Sequence, residues 1–132
     1  MDTIQENKVG HINFFNLKNL QGGIERNLAP GIDTSIFIGD QAMISVVRFE
    51  PGSVGEIHNH PEEQWGFCQS GNGIRIQDGE RVAVASGDFW LTPGDVLHGM
   101  EAGDEGMVVI DVFAPPRGSY KTAGSGFAAA DK

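Results

Sequence analysis

The sequence predicts an all-β fold, a jelly-roll barrel of two facing sheets, on three observations. Between Thr34 and Phe113, short stretches rich in Val, Ile and Phe are separated at close intervals by Gly, Pro and Asp, the pattern of hairpin-rich β-structure. No part of that region carries the apolar spacing of a helix of normal length. Asp78-Gly79 stands between two alternating segments as a two-residue hairpin turn. Strands of this length hide their edges by closing into a double-sheet jelly roll.

Taken in order, the predicted strands are Ser35 to Ile38, Ala42 to Glu50, Glu56 to His60, Gln64 to Gln69, Gly73 to Gln77, Arg81 to Ser86, Asp88 to Thr92, Val96 to His98 and Met107 to Phe113. Each is a run of β-branched or aromatic residues bounded by turn formers. Residues 1–33 are expected to form an arm whose apolar positions, His11 to Phe15 and Ile24 to Ala29, lie across the barrel or a partner subunit. The barrel is expected over 34–117. The tail, 118–132, follows Pro115-Pro116 and becomes a Gly, Ser and Ala stretch without periodicity, which predicts a mobile end with no part in function.

Composition excludes several classes of partner. The 132 residues suffice for one domain and are too few for two ordinary ones. With 18 acidic against 9 basic side chains, the net charge of −9 repels phosphate backbones and anionic membranes, so neither nucleic acid nor membrane is expected as a partner. The first ten residues lack a basic start followed by an apolar stretch, and no apolar run approaches the ~20 residues that span a bilayer. A cytoplasmic protein is expected. The single cysteine, Cys68, excludes an intrachain disulfide and fits a reducing compartment.

The chemistry gathers in His58-Asn59-His60, Gln64 and His98. Residues two apart on a strand point the same way, so His58 and His60 can present both imidazoles to one point inside a barrel. Gln64 can bring its amide oxygen to the same cavity if the Pro61-Glu62-Glu63 turn reverses the chain, and His98 would close the set. An isolated His-x-His is more often surface or packed histidine than a ligand; here the other ligand types accompany it. Three imidazoles and a carbonyl suit a divalent transition ion, with nickel, zinc, iron and manganese all open.

Reading outward, Gly52-x5-His58-x-His60-x3-Gln64-x6-Gly71 and Gly87-x5-Pro93-x4-His98 are similar to the two motifs that define the cupin superfamily. The chain thus resembles a small single-domain cupin from about Ala42 to Phe113, which implies a double-stranded β-helix and a metal held by His58, His60, Gln64 and His98. It departs from the usual pattern at Gln64, where most cupins have glutamate, at Asp95, which takes the usual glycine place, and at Ala102, where the second motif often ends in asparagine. An amide in place of a carboxylate leaves the ion its full double charge, which favours Lewis-acid over oxygen chemistry.

Asp111 interrupts the apolar run Val108 to Phe113. Facing the cavity, it could move a proton as general acid or base; the alternative is a structural or outward-pointing aspartate. Arg117, after Pro115-Pro116, could grip a substrate carboxylate at the barrel mouth or be an exposed arginine. Phe113 shares the parity of Asp111 and could line the pocket or simply be core. Val109 to Pro115 followed by Arg117 resembles the closing segment of the cupins of pectin and alginate breakdown. That resemblance implies that Asp111 is the proton carrier, Arg117 binds the carboxylate and Phe113 lines the pocket of an enzyme that converts an unsaturated uronate to its linear keto form.

Other residues are read conservatively. Cys68 is read as core filler. Trp65 and Phe67 have outward parity, which predicts a symmetric homodimer burying that face. Trp90 can be core or pocket. Glu62 and Glu63 are most simply a solvated turn, although either could replace a ligand in another register, and His11 is remote from both motifs. The expected function is a metal-dependent isomerase or lyase of a small carboxylated sugar or keto acid. Its rivals are an iron-dependent dioxygenase and a non-catalytic small-molecule-binding cupin.

Overall fold

The computed structural model describes residues 3–8, 11–121 and 124–127. Its elements are β1 (Ile24–Ala29), β2 (Ile32–Ile38), β3 (Met43–Phe49), β4 (Val54–His58), β5 (Glu63–Gln77), β6 (Glu80–Ala85), β7 (Phe89–Thr92), β8 (His98–Ala114), a 3-10 turn (Gly118–Lys121) and β9 (Gly124–Ser125). Among the described residues there is no α-helix, and no helix is long and apolar enough to cross a membrane. The strand order β6-β5-β8-β3-β2-β1-β9, with β4 added to β8 and β7 to β5, is that of the predicted jelly roll.

Two long strands hold the barrel together. The four predicted strands 64–69, 73–77, 96–98 and 107–113 are in fact parts of only two, β5 and β8. The start of β5 pairs with β7 and the end of β8, and its end pairs with β6 and the start of β8. Register shifts at Cys68/Ser70 and Gly71/Gly73 mark where the ladder bends, so one strand serves both layers. At this bend Gly71 has φ +82°, and a Cβ there would collide with the carbonyl oxygen of Gly106. The glycines that look like turn punctuation in sequence are therefore points of close strand crossing.

The ends of the chain belong to the sheet. The expected boundary at residue 33 falls inside a hairpin, because β1 pairs antiparallel with β2 from Ile24↔Ile36 to Ala29↔Ile32. Within the predicted tail, β9 runs parallel to β1, and Tyr120 and Phe127 are buried. The physical reason is Arg26, itself buried, which donates to the carbonyls of Ser119, Ser125 and Gly126 at 3.1, 2.9 and 2.8 Å and lies 5.0 Å from the Tyr120 ring centroid. Residues 122, 123 and 128–132 of that predicted tail lie outside the described residues.

Leu28, Ile32, Ile36, Met43, Val47, Met100, Met107, Val109 and Phe113 fill the barrel, each burial contributing roughly 1.5–3 kcal/mol relative to exposure. On the outer face, Trp65 and Phe67 stay exposed, as their parity predicts, and Ile44 and Leu91 are exposed beside them, all four at 38–45%. Replacing Gly71 with alanine should destabilise the fold by on the order of 2–4 kcal/mol, since both φ and the Gly106 contact oppose a side chain. Urea unfolding checks this; a midpoint equal to that of the wild type would show that the crossing is looser than described.

Candidate metal centre

The pairing of β4 with β8 brings the histidines together. His58, the last residue of β4, lies directly opposite His98, the first of β8, with ring centroids 4.5 Å apart. His60 follows in the turn, its carbonyl accepting from the Asp95 amide at 2.8 Å and its ring centroid 5.0 Å from that of His98. Asp95 adopts φ +68°, which explains why glycine usually occupies this place; aspartate is one of the few residues that tolerate it. The ligating atoms of His58, His60 and His98 lie within 4.8 Å of one another.

Each imidazole is oriented through Nδ1. That of His58 meets the Glu56 carbonyl at 3.0 Å, that of His98 meets the Val96 carbonyl at 2.8 Å, and that of His60 faces the Glu62 carboxylate at 3.2 Å. With Nδ1 donating to these carbonyls, the Nε2 atoms of His58 and His98 offer lone pairs to the interior. Burial pushes the pKa of His58 down; burial and then the charge of Arg75 push that of His98 down to about 2, so both rings stay neutral at neutral pH. Nε2 of His98 is buried without a hydrogen-bond partner.

Gln64 joins this set from the second position of β5. Its Oε1 lies 3.0 Å from Nε2 of His60. This contact is a hydrogen bond when Nε2 of His60 carries the proton; with Nε2 deprotonated the two atoms become neighbouring acceptors, as two ligands of one cation are. Adjacent ligands of one ion at ~2.1 Å stand roughly 3–4 Å apart. The orphaned Nε2 of His98, the neutral rings of His58 and His98 and the Gln64 oxygen beside His60 fit a divalent ion held by His58, His60, His98 and Gln64.

Asp111 is inside the barrel, between Ser45 of β3 and Gly66 of β5. Burial first, partly offset by Arg75, by a hydrogen bond from Gln64 and by Arg117, raises its pKa to about 6. Its Oδ1 has no hydrogen-bond partner. Phe113 is buried with its ring 5.4 Å from that of His60. Both line a cavity of about 30 Å³ together with His58, Gln64, His98 and Arg117. That is space for a water or two.

Several residues depart from expectation. Glu62 is buried rather than part of a solvated turn, because the reversal after Pro61 swings it back onto His60; Glu63 is exposed. Arg117 is neither at an open mouth nor exposed: it is wholly buried, 4.1 Å from the Tyr120 centroid, and donates through Nη2 to the Phe127 carbonyl at 2.7 Å. The tail expected to have no part in function seals the cavity, since Phe127 packs 4.8 Å from the His58 ring. Cys68 is buried core. Trp90 packs on that core and over Arg75 at 5.5 Å, outside the cavity lining. His11 is exposed in the arm and apart from the centre.

Arg75 was not legible as a site residue. Alternation carried forward from Gln64 turns it outward, but the bend near Ser70 reverses the parity and puts it in the cavity with 6% exposure. Only the pattern Gly71-Asn72-Gly73 hinted at such a break.

With the geometry described, the comparisons with known proteins are decisive. The cupin domain profile matches residues 45–113. The chain belongs to the cupin family. It is 30% identical over 95 residues to the pectin degradation protein KdgF of Dickeya dadantii, covering 70% of this chain and 86% of that one. The structure of KdgF from Halomonas sp. superposes with a TM-score of 0.72 at 28% identity over 81% of this cupin and 96% of that chain. An RmlC-like cupin from Shewanella frigidimarina shares the fold, with a TM-score of 0.72 at 22% identity over 82% and 95% of the two chains.

Two outcomes follow from the centre. Glu62→Gln should keep the fold and lower metal affinity roughly 10- to 100-fold, read by chelator competition; unchanged affinity would remove Glu62 from the site. In the metal-free protein, Asp111 keeps its proton to about pH 6 when folded and loses it near 3.8 when unfolded. The unfolded chain therefore binds fewer protons between those values, and this group makes stability fall as pH rises. Asp111→Asn should stabilise the metal-free protein above pH 6 and have no such effect below pH 4, read from melting temperatures against pH. An equal gain at both ends would show that the carboxyl is not desolvated.

Proposed function

We propose that this cupin is a metal-dependent isomerase or lyase acting on a small carboxylated sugar or keto acid, with conversion of an unsaturated uronate to its linear keto form as the leading reaction. The observation that carries the proposal is Asp111, a buried carboxyl with raised pKa beside the His58, His60, His98 and Gln64 centre. A proton carrier next to a Lewis-acid site is what such an isomerisation requires. The relation to KdgF, a pectin degradation protein, supports the substrate class.

When bound, a divalent ion supplies stabilisation of negative charge on a substrate oxygen. The chain's residues supply the rest. Opening the ring of an unsaturated uronate yields an enol, and protonation of its carbon yields the ketone, so neither oxidant nor reductant is consumed. Asp111, poised near pH 6, takes the hydroxyl proton and delivers one to carbon. Gln64, being neutral, aligns the centre without cancelling charge, and Phe113 forms an apolar wall that excludes water. Arg117 adds positive charge and holds the tail. A sugar acid exceeds the 30 Å³ cavity, so Phe127 must part from His58 for it to enter.

Asp111→Asn should lower turnover of a 4,5-unsaturated uronate by roughly 10²–10⁴-fold with metal content unchanged. The reaction is followed as loss of the conjugated double bond. Wild-type turnover should persist without oxygen; an absolute oxygen requirement would favour a dioxygenase, and no change across a uronate panel would remove the leading substrate. The exposed Trp65 and Phe67 face supports a homodimer, which light scattering of the purified chain checks.

A further inference from the structure

We infer that Arg75 binds the substrate carboxylate inside the barrel and so determines the specificity of this site for anionic substrates. The inference rests on the reading that a small carboxylated substrate occupies the cavity. Arg75 is nine-tenths buried and lines the same space as His58, Gln64, His98 and Asp111. Its Nε donates to Gln77 Oε1 at 3.2 Å and its Nη2 to Thr92 Oγ1 at 2.9 Å, both neutral acceptors. Thr92 Oγ1 in turn donates to Gln77 Oε1 at 2.6 Å, so the three side chains form a closed brace. Among the described residues Nη1 has no hydrogen-bond partner, and no carboxylate oxygen lies within 4.0 Å of the guanidinium.

Burying a guanidinium without a counter-ion is costly, and proteins rarely keep one so unless it serves an anion. The group remains charged at neutral pH even though burial brings its pKa down to about 10. Asp111 is close enough to be felt electrostatically yet forms no ion pair with it. The contrast with Arg117 is instructive, since that fork donates to a tail carbonyl and stacks on Tyr120. Arg75 is instead held rigidly on two sides with one arm to spare. A carboxylate entering the cavity would take a charge-assisted hydrogen bond from Nη1 and neutralise the charge that the fold leaves uncompensated. In a chain of net charge −9, this places a local positive centre where an anion is wanted.

The test is calorimetric titration of the metal-loaded full chain with D-galacturonate, a saturated acid, and with its neutral counterpart D-galactose. The wild type should bind the acid and discriminate against galactose. Arg75→Met should weaken acid binding roughly 10- to 100-fold with metal content unchanged by elemental analysis. Arg75→Lys, which keeps the charge and loses the brace, should fall between. Binding of galacturonate by Arg75→Met within twofold of wild type, or no preference for the acid in the wild type, overturns the inference. If Arg75→Met does not fold, Arg75→Lys decides: at least threefold weaker binding supports the role, and unchanged binding overturns it. Arg75-dependent binding without turnover of any unsaturated uronate would sink the proposed reaction and leave this inference standing; turnover with an unaltered KM in Arg75→Met would do the reverse.

Discussion

The structure depends on keeping the imidazoles of His58, His60 and His98 buried with one ring nitrogen of each within 4.8 Å of the others. Buried rings are inexpensive only if their nitrogens are satisfied: the carbonyls of Glu56 and Val96 bond to Nδ1 of His58 and His98, and the Glu62 carboxylate lies 3.2 Å from Nδ1 of His60. Two of these partners are main-chain carbonyls two residues before the ring, so the strand that presents the histidine also fixes its tautomer. The third is a side chain from the turn after His60. The antiparallel match of His58 with His98 then does what no local geometry could, placing ligands from distant stretches of chain side by side.

Around that centre the charges are arranged against the character of the whole chain. The chain as a whole is acidic, whereas the cavity lining holds Arg75 and Arg117 alongside Asp111 and Glu56. Positive groups lower the pKa of His98, and they also pull Asp111 back from the higher value that burial alone would impose. Burial first, and these charges second, keep His98 deprotonated, and the same charges limit the rise that burial imposes on Asp111. Gln64 bears on both, lowering the pKa of Asp111 and holding its oxygen 3.0 Å from Nε2 of His60.

Closure of the cavity comes from the chain's end. Arg26 and Arg117, from opposite ends of the barrel sequence, hold the tail by its carbonyl oxygens, and Tyr120 and Phe127 supply the apolar cover. Main-chain acceptors on a glycine-rich segment impose little on sequence, which is why the segment looks featureless when read along the chain.

The all-β class, the cupin motifs, the four candidate ligands and the inward parity of Asp111 and Phe113 were legible along the chain. They follow from short-range rules, alternation within a strand and the spacing of ligand types, that need no knowledge of partners. The burial of Glu62, the inward turn of Arg75, the merging of four predicted strands into β5 and β8, and the docking of the tail were decided by tertiary structure alone. Each depends on where a bend, a reversal or a distant carbonyl lies in space. A single shifted residue in a ladder reverses which face a side chain occupies, and the order of residues does not reveal such a shift.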